Sequence, residues 1–216
     1  MGDEAAQWIN QFLALNRSHD QSNSENSSLD APDYRLVTVD DPQNGVYKRP
    51  AHPKIPGVHA AFQDWSPISL GFNSSLDALN DGMVDSGFSQ GSRIPISRFR
   101  NNITISGTMA WEEDEWLVVK IGEVHAYIIQ PIARCNVPSI DQDSGIKETW
   151  NGKGPTDYLK VVRRFQDQPG DGQFCCDVVP LTSGKIRLGD TIQVLERIPE
   201  EYQQRPIVLE ETLKSL

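Results

Sequence analysis

Residues 4–15, EAAQWINQFLAL, place apolar side chains at 5, 8, 9, 12 and 13, the i, i+3, i+4 spacing that lines one helix face. The pattern predicts an amphipathic helix with a core-facing stripe. Asp3 and Glu4 stand at its start, where the helix dipole favours negative charge. The next stretch, NRSHDQSNSENSSLDAPD at 16–33, holds too little apolar surface to offset the entropy of ordering and reads as a mobile loop. YRLVTVD at 34–40 then has the look of a strand, DPQNG that of a turn, and the proline-rich 48–57 is irregular. SPISL at 66–70 is a short strand. NSSLDALN at 73–80 opens a helix, with Ser74 as N-cap, Asp77 completing a capping box and Gly82 as its stop. Gly/Ser-rich 82–93 reads as loop.

Past residue 94 the period changes to two. NITISGT (102–108), EWLVVKIG (115–122), VHAYIIQ (124–130, stopped by Pro131), FCCDVVPL (174–181), KIRLG (185–189) and TIQVLER (191–197) all read as strands. One helix interrupts them, PTDYLKVVRRF at 155–165, with Thr156 as cap and Tyr158, Leu159, Val162 and Phe165 on one face. Short strands, tight turns and few helices predict a mainly β fold with a few helices, a barrel or mixed barrel.

Composition narrows the function classes. The 216 residues carry a net charge of −10, which argues against nucleic-acid phosphates and anionic membrane surfaces as partners. No window approaches a membrane span, the start lacks the basic flank and apolar core of a signal peptide, and Ala6 fails the myristoylation pattern. Three cysteines, two of them adjacent, make a poor disulfide framework, so a reducing interior compartment, the cytoplasm, is expected.

The common nucleotide-binding, nucleophile-elbow and C-x-x-C patterns are absent, and His19, His52, His59 and His125 are scattered without metal-ligand spacing. The acidic run EEDE (112–115) reads as a solvated turn between strands. Cys135 stands out from the buried-thiol norm. It follows a proline-terminated strand, where side chains reach a cavity mouth, and Arg134 beside it favours a thiolate, the soft ligand that thiophilic metals prefer. Cys175 and Cys176 lie mid-strand and point to opposite faces, one of them to the core. RFRNN (98–102) reads either as a solvated strand edge or as a device for a phosphate or fused heteroaromatic edge. QDWSPI (63–68) is a polar turn with a tryptophan.

In order, EAAQWINQFL, YRLV, SPISL, SSLDALN, FRNNITISG, WEEDEWLVVKIGEV, ARCNVPSIDQDSG, TDYLKVVRRF and SGKIRLGDTIQVL resemble MOSC-domain proteins, named after the C-terminal domain of molybdenum cofactor sulfurase. Within them the likeness is greatest to the mitochondrial amidoxime-reducing branch. It covers nearly the whole chain apart from 16–33 and the C-terminal tail, and its R-C-x5-D-x2-[ST]-G element is fairly specific. The resemblance implies a MOSC-type β-barrel and a molybdenum–pyranopterin cofactor, with Cys135 as the metal ligand and catalytic centre. It implies that Arg100 and Asn102, from the family's F-R-P-N motif, approach the cofactor together with Arg134 and the loop at Asp64, Trp65 and Ser66. The chain departs from the pattern at Asn101 (proline in the family), Ala133 (serine in close relatives) and Cys175 (glycine in the family's F-G-Q).

The resemblance divides the chain into a remnant of the MOSC N-terminal region at 1–93, a barrel core at 94–198 and a tail at 199–216. It also implies that the chain lacks the segment that precedes the first helix in the relatives and supplies phosphate anchors, so that either a partner or a dimer mate supplies them or cofactor binding is weak or lost. Two functions follow. One is a molybdenum-dependent oxidoreductase that reduces N-hydroxylated or other N–O small molecules, with electron-donor proteins as partners. The other is a cofactor-free cyclase, isomerase or binding protein reusing the same cavity for a small organic ligand, which the substitutions favour. A carrier bearing a persulfide on Cys135 is a third.

Overall fold

The computed structural model describes residues 2–17, 34–35, 66–166 and 170–208. The chain forms two units, Met1–Lys48 and Arg49–Leu216. The loop expected from residue 18, strand residues 36–40, the proline-rich 48–57, Asp64, Trp65 and the tail beyond 208 lie outside the described residues.

In the first unit α1 spans Gly2–Arg17, slightly longer at each end than the apolar spacing predicts. The aromatic members of its stripe are not buried. Trp8 and Phe12 stay exposed and stack on each other, one turn apart, with ring centroids at 5.5 Å. The Asn10 side chain clasps the Tyr34 backbone, donating to its carbonyl (3.1 Å) and accepting from its N–H (2.9 Å).

The second unit is built on β1 (Ile68–Phe72), α2 (Asn73–Asp85), β2 (Ile103–Ile105), β3 (Trp116–Ile121), β4 (Val124–Ala133), α3 (Pro155–Val162), β5 (Gln173–Pro180) and β6 (Ile192–Arg197). The strands form one mixed sheet in the order β2-β1-β5-β4-β3-β6, curled into a half-barrel, as the mainly β expectation requires. Only β1 and β2 run parallel. The β3–β4 hairpin turns on Gly122 and Glu123, with Ile121 opposite Val124 and Gly122 at φ +55°.

Both faces of the sheet are covered. Leu70, Phe72, Trp116, Val119, Ile128 and Cys176 pack on one side. Leu79, Met83, Phe99, Leu159, Phe174 and Cys175 pack together as the other cluster, with α2 and α3. Both mid-strand cysteines are therefore core residues, in different clusters, where the alternation reserved the core for one. Between Pro131–Cys176 and Ala133–Gln173 the register slips, and Cys175 sits there at φ +65°. This is a bulge with its extra residue in the left-handed region, a place that suits glycine.

Long-range contacts move several other expectations. β4 continues through Pro131 to Ala133, because the proline lies at that bulge, where no ladder donor is needed. α2 starts after Phe72 without a side-chain cap, since Ser74 Oγ pairs with Thr108 Oγ1 (2.9 Å). It also runs through Gly82, whose missing Cβ makes room for the Tyr158 hydroxyl. In α3 the cap is Gly154, whose N–H donates to Asp157 Oδ2 (2.8 Å), and Thr156 lies in the first turn instead. Residues 185–189 form no strand: Asp190 Oδ2 accepts the Arg187 N–H at 2.7 Å and closes a turn, leaving Leu188 exposed.

The EEDE run is not a solvated turn. It forms a 3-10 turn, Glu112–Glu115, that buries Glu113 and sets Asp114 against Arg163 in a two-point ion pair (2.7 and 2.8 Å). Glu112 and Glu115 remain on the outside, paired with Arg197.

Candidate functional site

β4 delivers its last residues into a loop that three kinds of contact hold. The Arg134 N–H donates to Gly172 O (2.9 Å), its Nε to Phe174 O (2.7 Å) and its Nη1 to Phe99 O (3.1 Å). The guanidinium, 5.5 Å from the Phe99 ring centroid, leaves Nη2 buried and without a hydrogen-bond partner among the described residues. In the structure this charge also acts on Cys175, whose thiol burial pushes up to about 12 while Arg134 pulls it back down. Cys135 follows as an exposed free thiol, and Thr156 Oγ1 donates to its carbonyl at 2.7 Å.

Beyond the 3-10 turn Val137–Ser139 the chain makes a tight hairpin, with Asp141 N–H on Ile146 O (2.9 Å) and Glu148 N–H on Ser139 O (2.7 Å). Asp141 is its hinge. Oδ1 accepts from the N–H (2.8 Å) and Oγ (2.9 Å) of Ser144, Oδ2 accepts from Arg98 Nη2 (3.0 Å), and Gly145 takes φ +70°. The hydrogen bonds from Ser144, and then Arg98, hold the Asp141 carboxyl below the usual range. The D-x2-S-G part of the motif is thus a loop brace.

The other half comes from the 3-10 turn Ile96–Phe99 and its cap, Arg100, which is exposed at φ +53°. Arg134 ties this turn to the Cys135 loop through the Phe99 carbonyl, so the Arg-Cys pair and the F-R-x-N element meet in the fold. Asn102 Oδ1 accepts from the Ser69 N–H (2.8 Å) and hydroxyl (3.1 Å), fixing the turn to β1. Ser66 is buried, with its Oγ within hydrogen-bond distance of Ile68 O (2.8 Å) and Asp177 Oδ1 (2.7 Å), and is directed into the sheet. The residue pattern included Arg98, the first arginine of RFRNN, but gave it no role of its own. Arg98 is 5% exposed, and its Nη2 also reaches Glu148 Oε2 at 2.7 Å. A cavity of about 200 Å³ lined by Glu113, Gln130, Pro131, Phe165 and Gln173 was invisible, and burial there raises the Glu113 carboxyl to about 7.

The donor set fits the molybdenum–pterin group that the resemblance implies, except at Ser66. No cluster of three or more His, Cys, Asp or Glu side chains suited to a metal exists among the described residues. A metal at Cys135 would therefore rest on one exposed protein thiol and on the cofactor's own ligands. The unpartnered Arg134 Nη2 and the exposed Arg100 offer cationic donors to an anionic, heteroatom-rich group. Ser66, committed to Asp177, has no such role in this geometry. No helix among the described residues is long and apolar enough to cross a membrane.

Mitochondrial amidoxime reducing component 2 of Rattus norvegicus is 28% identical over 203 residues, 88% of this chain and 51% of its own length. The Bos taurus protein of that name is 30% identical over 163 residues, covering 75% of this chain and 41% of its own. Component 1 of Homo sapiens is 26% identical over 208 residues, with 90% and 52% covered. The chain thus spans about half the length of the curated relatives it matches. The MOSC domain itself matches residues 58–193, most of the chain and the sheet as far as the start of β6, and on that ground the chain belongs to the MOSC domain family.

Proposed function

We propose that this chain is an oxidoreductase of the amidoxime-reducing kind, which holds a molybdenum–pyranopterin group at Cys135 and removes oxygen from N-hydroxylated or other N–O small molecules. The observation that carries the reading is the Cys135 loop: an exposed thiol on a backbone fixed by Arg134 and Thr156, beside the turn that bears Arg100. When bound, the cofactor supplies the two-electron redox chemistry at the metal. The chain's residues contribute placement. The Cys135 thiolate would ligate, Arg100 and the free Nη2 of Arg134 would neutralise and orient the pterin's anionic end, and Asn102 would keep the Arg100 turn on β1. Electrons would come from a donor protein, and the three free cysteines suit a reducing compartment such as the cytoplasm.

The test is turnover of an N-hydroxylated amidine by cofactor-loaded protein with a chemical reductant. Wild type should reduce it, and Cys135→Ser should lose at least a hundredfold in kcat. Equal turnover by the two proteins would defeat the proposal. The cofactor-free reading draws support from Ser66, a family position whose hydroxyl is turned away into the sheet. Binding or conversion of a small organic ligand by molybdenum-free protein would favour it.

A further inference from the structure

Arg98 is an expensive residue in its position. Its guanidinium is 95% removed from solvent, only Nη2 finds acceptors, and Nε and Nη1 have no hydrogen-bond partner among the described residues. Both acceptors, Asp141 and Glu148, sit about one-third exposed at the rim. A buried ion pair of this quality adds little stability, and an apolar side chain of similar volume often does as well. The contact is better explained by what it joins. Arg98 lies in the turn that ends in Arg100. Asp141 and Glu148 lie on the two arms of the hairpin that follows Cys135, and the Gln142 side chain also reaches the Arg98 carbonyl (3.5 Å).

We infer that Arg98 is a positioning residue: it locks the Arg100 turn to the Cys135 hairpin, so that the exposed cation and the exposed thiol act on one bound anionic group. This rests on the reading above that Arg100 and Cys135 share a site. It adds a side chain that sets their spacing alongside the Arg134 tie. Two anchors from one turn, Arg98 to the hairpin and the Phe99 carbonyl to Arg134, tie the loop to the turn that ends in Arg100.

The test needs no cofactor. Cys135 is the exposed thiol and Cys175 and Cys176 are buried, so alkylation of the native protein reports on Cys135. The rate with anionic iodoacetate divided by that with neutral iodoacetamide measures the cationic field at the thiol. Arg100→Ala should lower this ratio by about fivefold, the order expected for one unit charge a few ångströms away in water. Arg98→Met should lower it by a similar factor while keeping a cooperative thermal transition, and Arg98→Lys, which still bridges the carboxylates, should restore most of it. Glu148→Gln, at the rim, provides a second variant that reads the same link with little threat to folding. If Arg100→Ala leaves the ratio unchanged, the shared site fails. If Arg100→Ala abolishes the preference while Arg98→Met and Glu148→Gln keep it, the positioning role is overturned and the shared site stands.

Discussion

Replacing Glu113 with glutamine should stabilise the protein at alkaline pH and leave it nearly unchanged in mild acid. The carboxyl is 3% exposed, accepts one hydrogen bond from Ser75 Oγ (2.6 Å), and leaves Oε2 without a hydrogen-bond partner among the described residues. Desolvation is the largest cause that lifts its pKa from 4.5 to about 7, ahead of the opposing Ser75 bond and the charges of Asp114 and Arg163. The sign follows from proton counting. Below 4.5 both folded and unfolded states hold the proton and nothing is lost. Between 4.5 and 7 the unfolded state ionises while the folded state does not, so stability falls as pH rises. Above 7 the loss is complete, about 3 kcal/mol for a displacement of this size. Glutamine removes the titration and keeps the acceptor for Ser75, at about 1 kcal/mol for an unpaired amide group. The variant should match wild type at pH 5 and exceed it by about 2 kcal/mol at pH 8, or roughly 4–8 °C in Tm. Urea unfolding of both proteins at the two pH values decides the matter, because other titrating groups cancel in the difference. A wild-type–variant difference that is the same at pH 5 and pH 8 would show that the Glu113 carboxyl is not displaced by folding.

Arg163→Met should cost about 3 kcal/mol in urea unfolding by leaving the largely buried Asp114 carboxylate uncompensated, and adding Asp114→Asn should recover much of that loss. At the β5 bulge, Cys175→Gly should be more stable than Cys175→Ala by about 1 kcal/mol, reversing the usual order of these residues, because only glycine sheds the left-handed strain at φ +65°. Thermal melts of the two variants side by side read that order, and alanine above glycine would contradict the bulge assignment. Cys135→Ser should leave Tm within about a degree of wild type, since the side chain is exposed, and a large drop would show the thiol to be a packing group.

The period of apolar residues revealed the elements whose partners are local or whose faces are cleanly divided. α1, the β3–β4 hairpin and the buried face of α3 were legible because Tyr158 and Leu159 or Val119 and Ile121 recur at the right spacing, although α3 ends at Val162 and Phe165, expected on its face, lies beyond it. What stayed hidden depends on distant residues. EEDE looked solvated because the cation that draws Asp114 inward, Arg163, is 49 positions away. KIRLG has the alternation of a strand, yet the Asp190 side chain closes it into a turn. Arg134 reads as the companion of Cys135, but its guanidinium is engaged by carbonyls 35 and 40 residues distant. The candidate site was marked in the sequence by the Arg-Cys pair, while the Arg98 brace was not, because nothing near it in sequence shows that Asp141 and Glu148 converge on it.

Whether Cys135 holds a molybdenum–pterin group is decided by the molybdenum content of protein purified from a cofactor-competent host. Wild type should carry close to one molybdenum per chain with an equal amount of releasable pterin, and Cys135→Ser should carry less than about a tenth of that. Wild-type protein free of molybdenum, or a serine variant loaded to the same level, would contradict it.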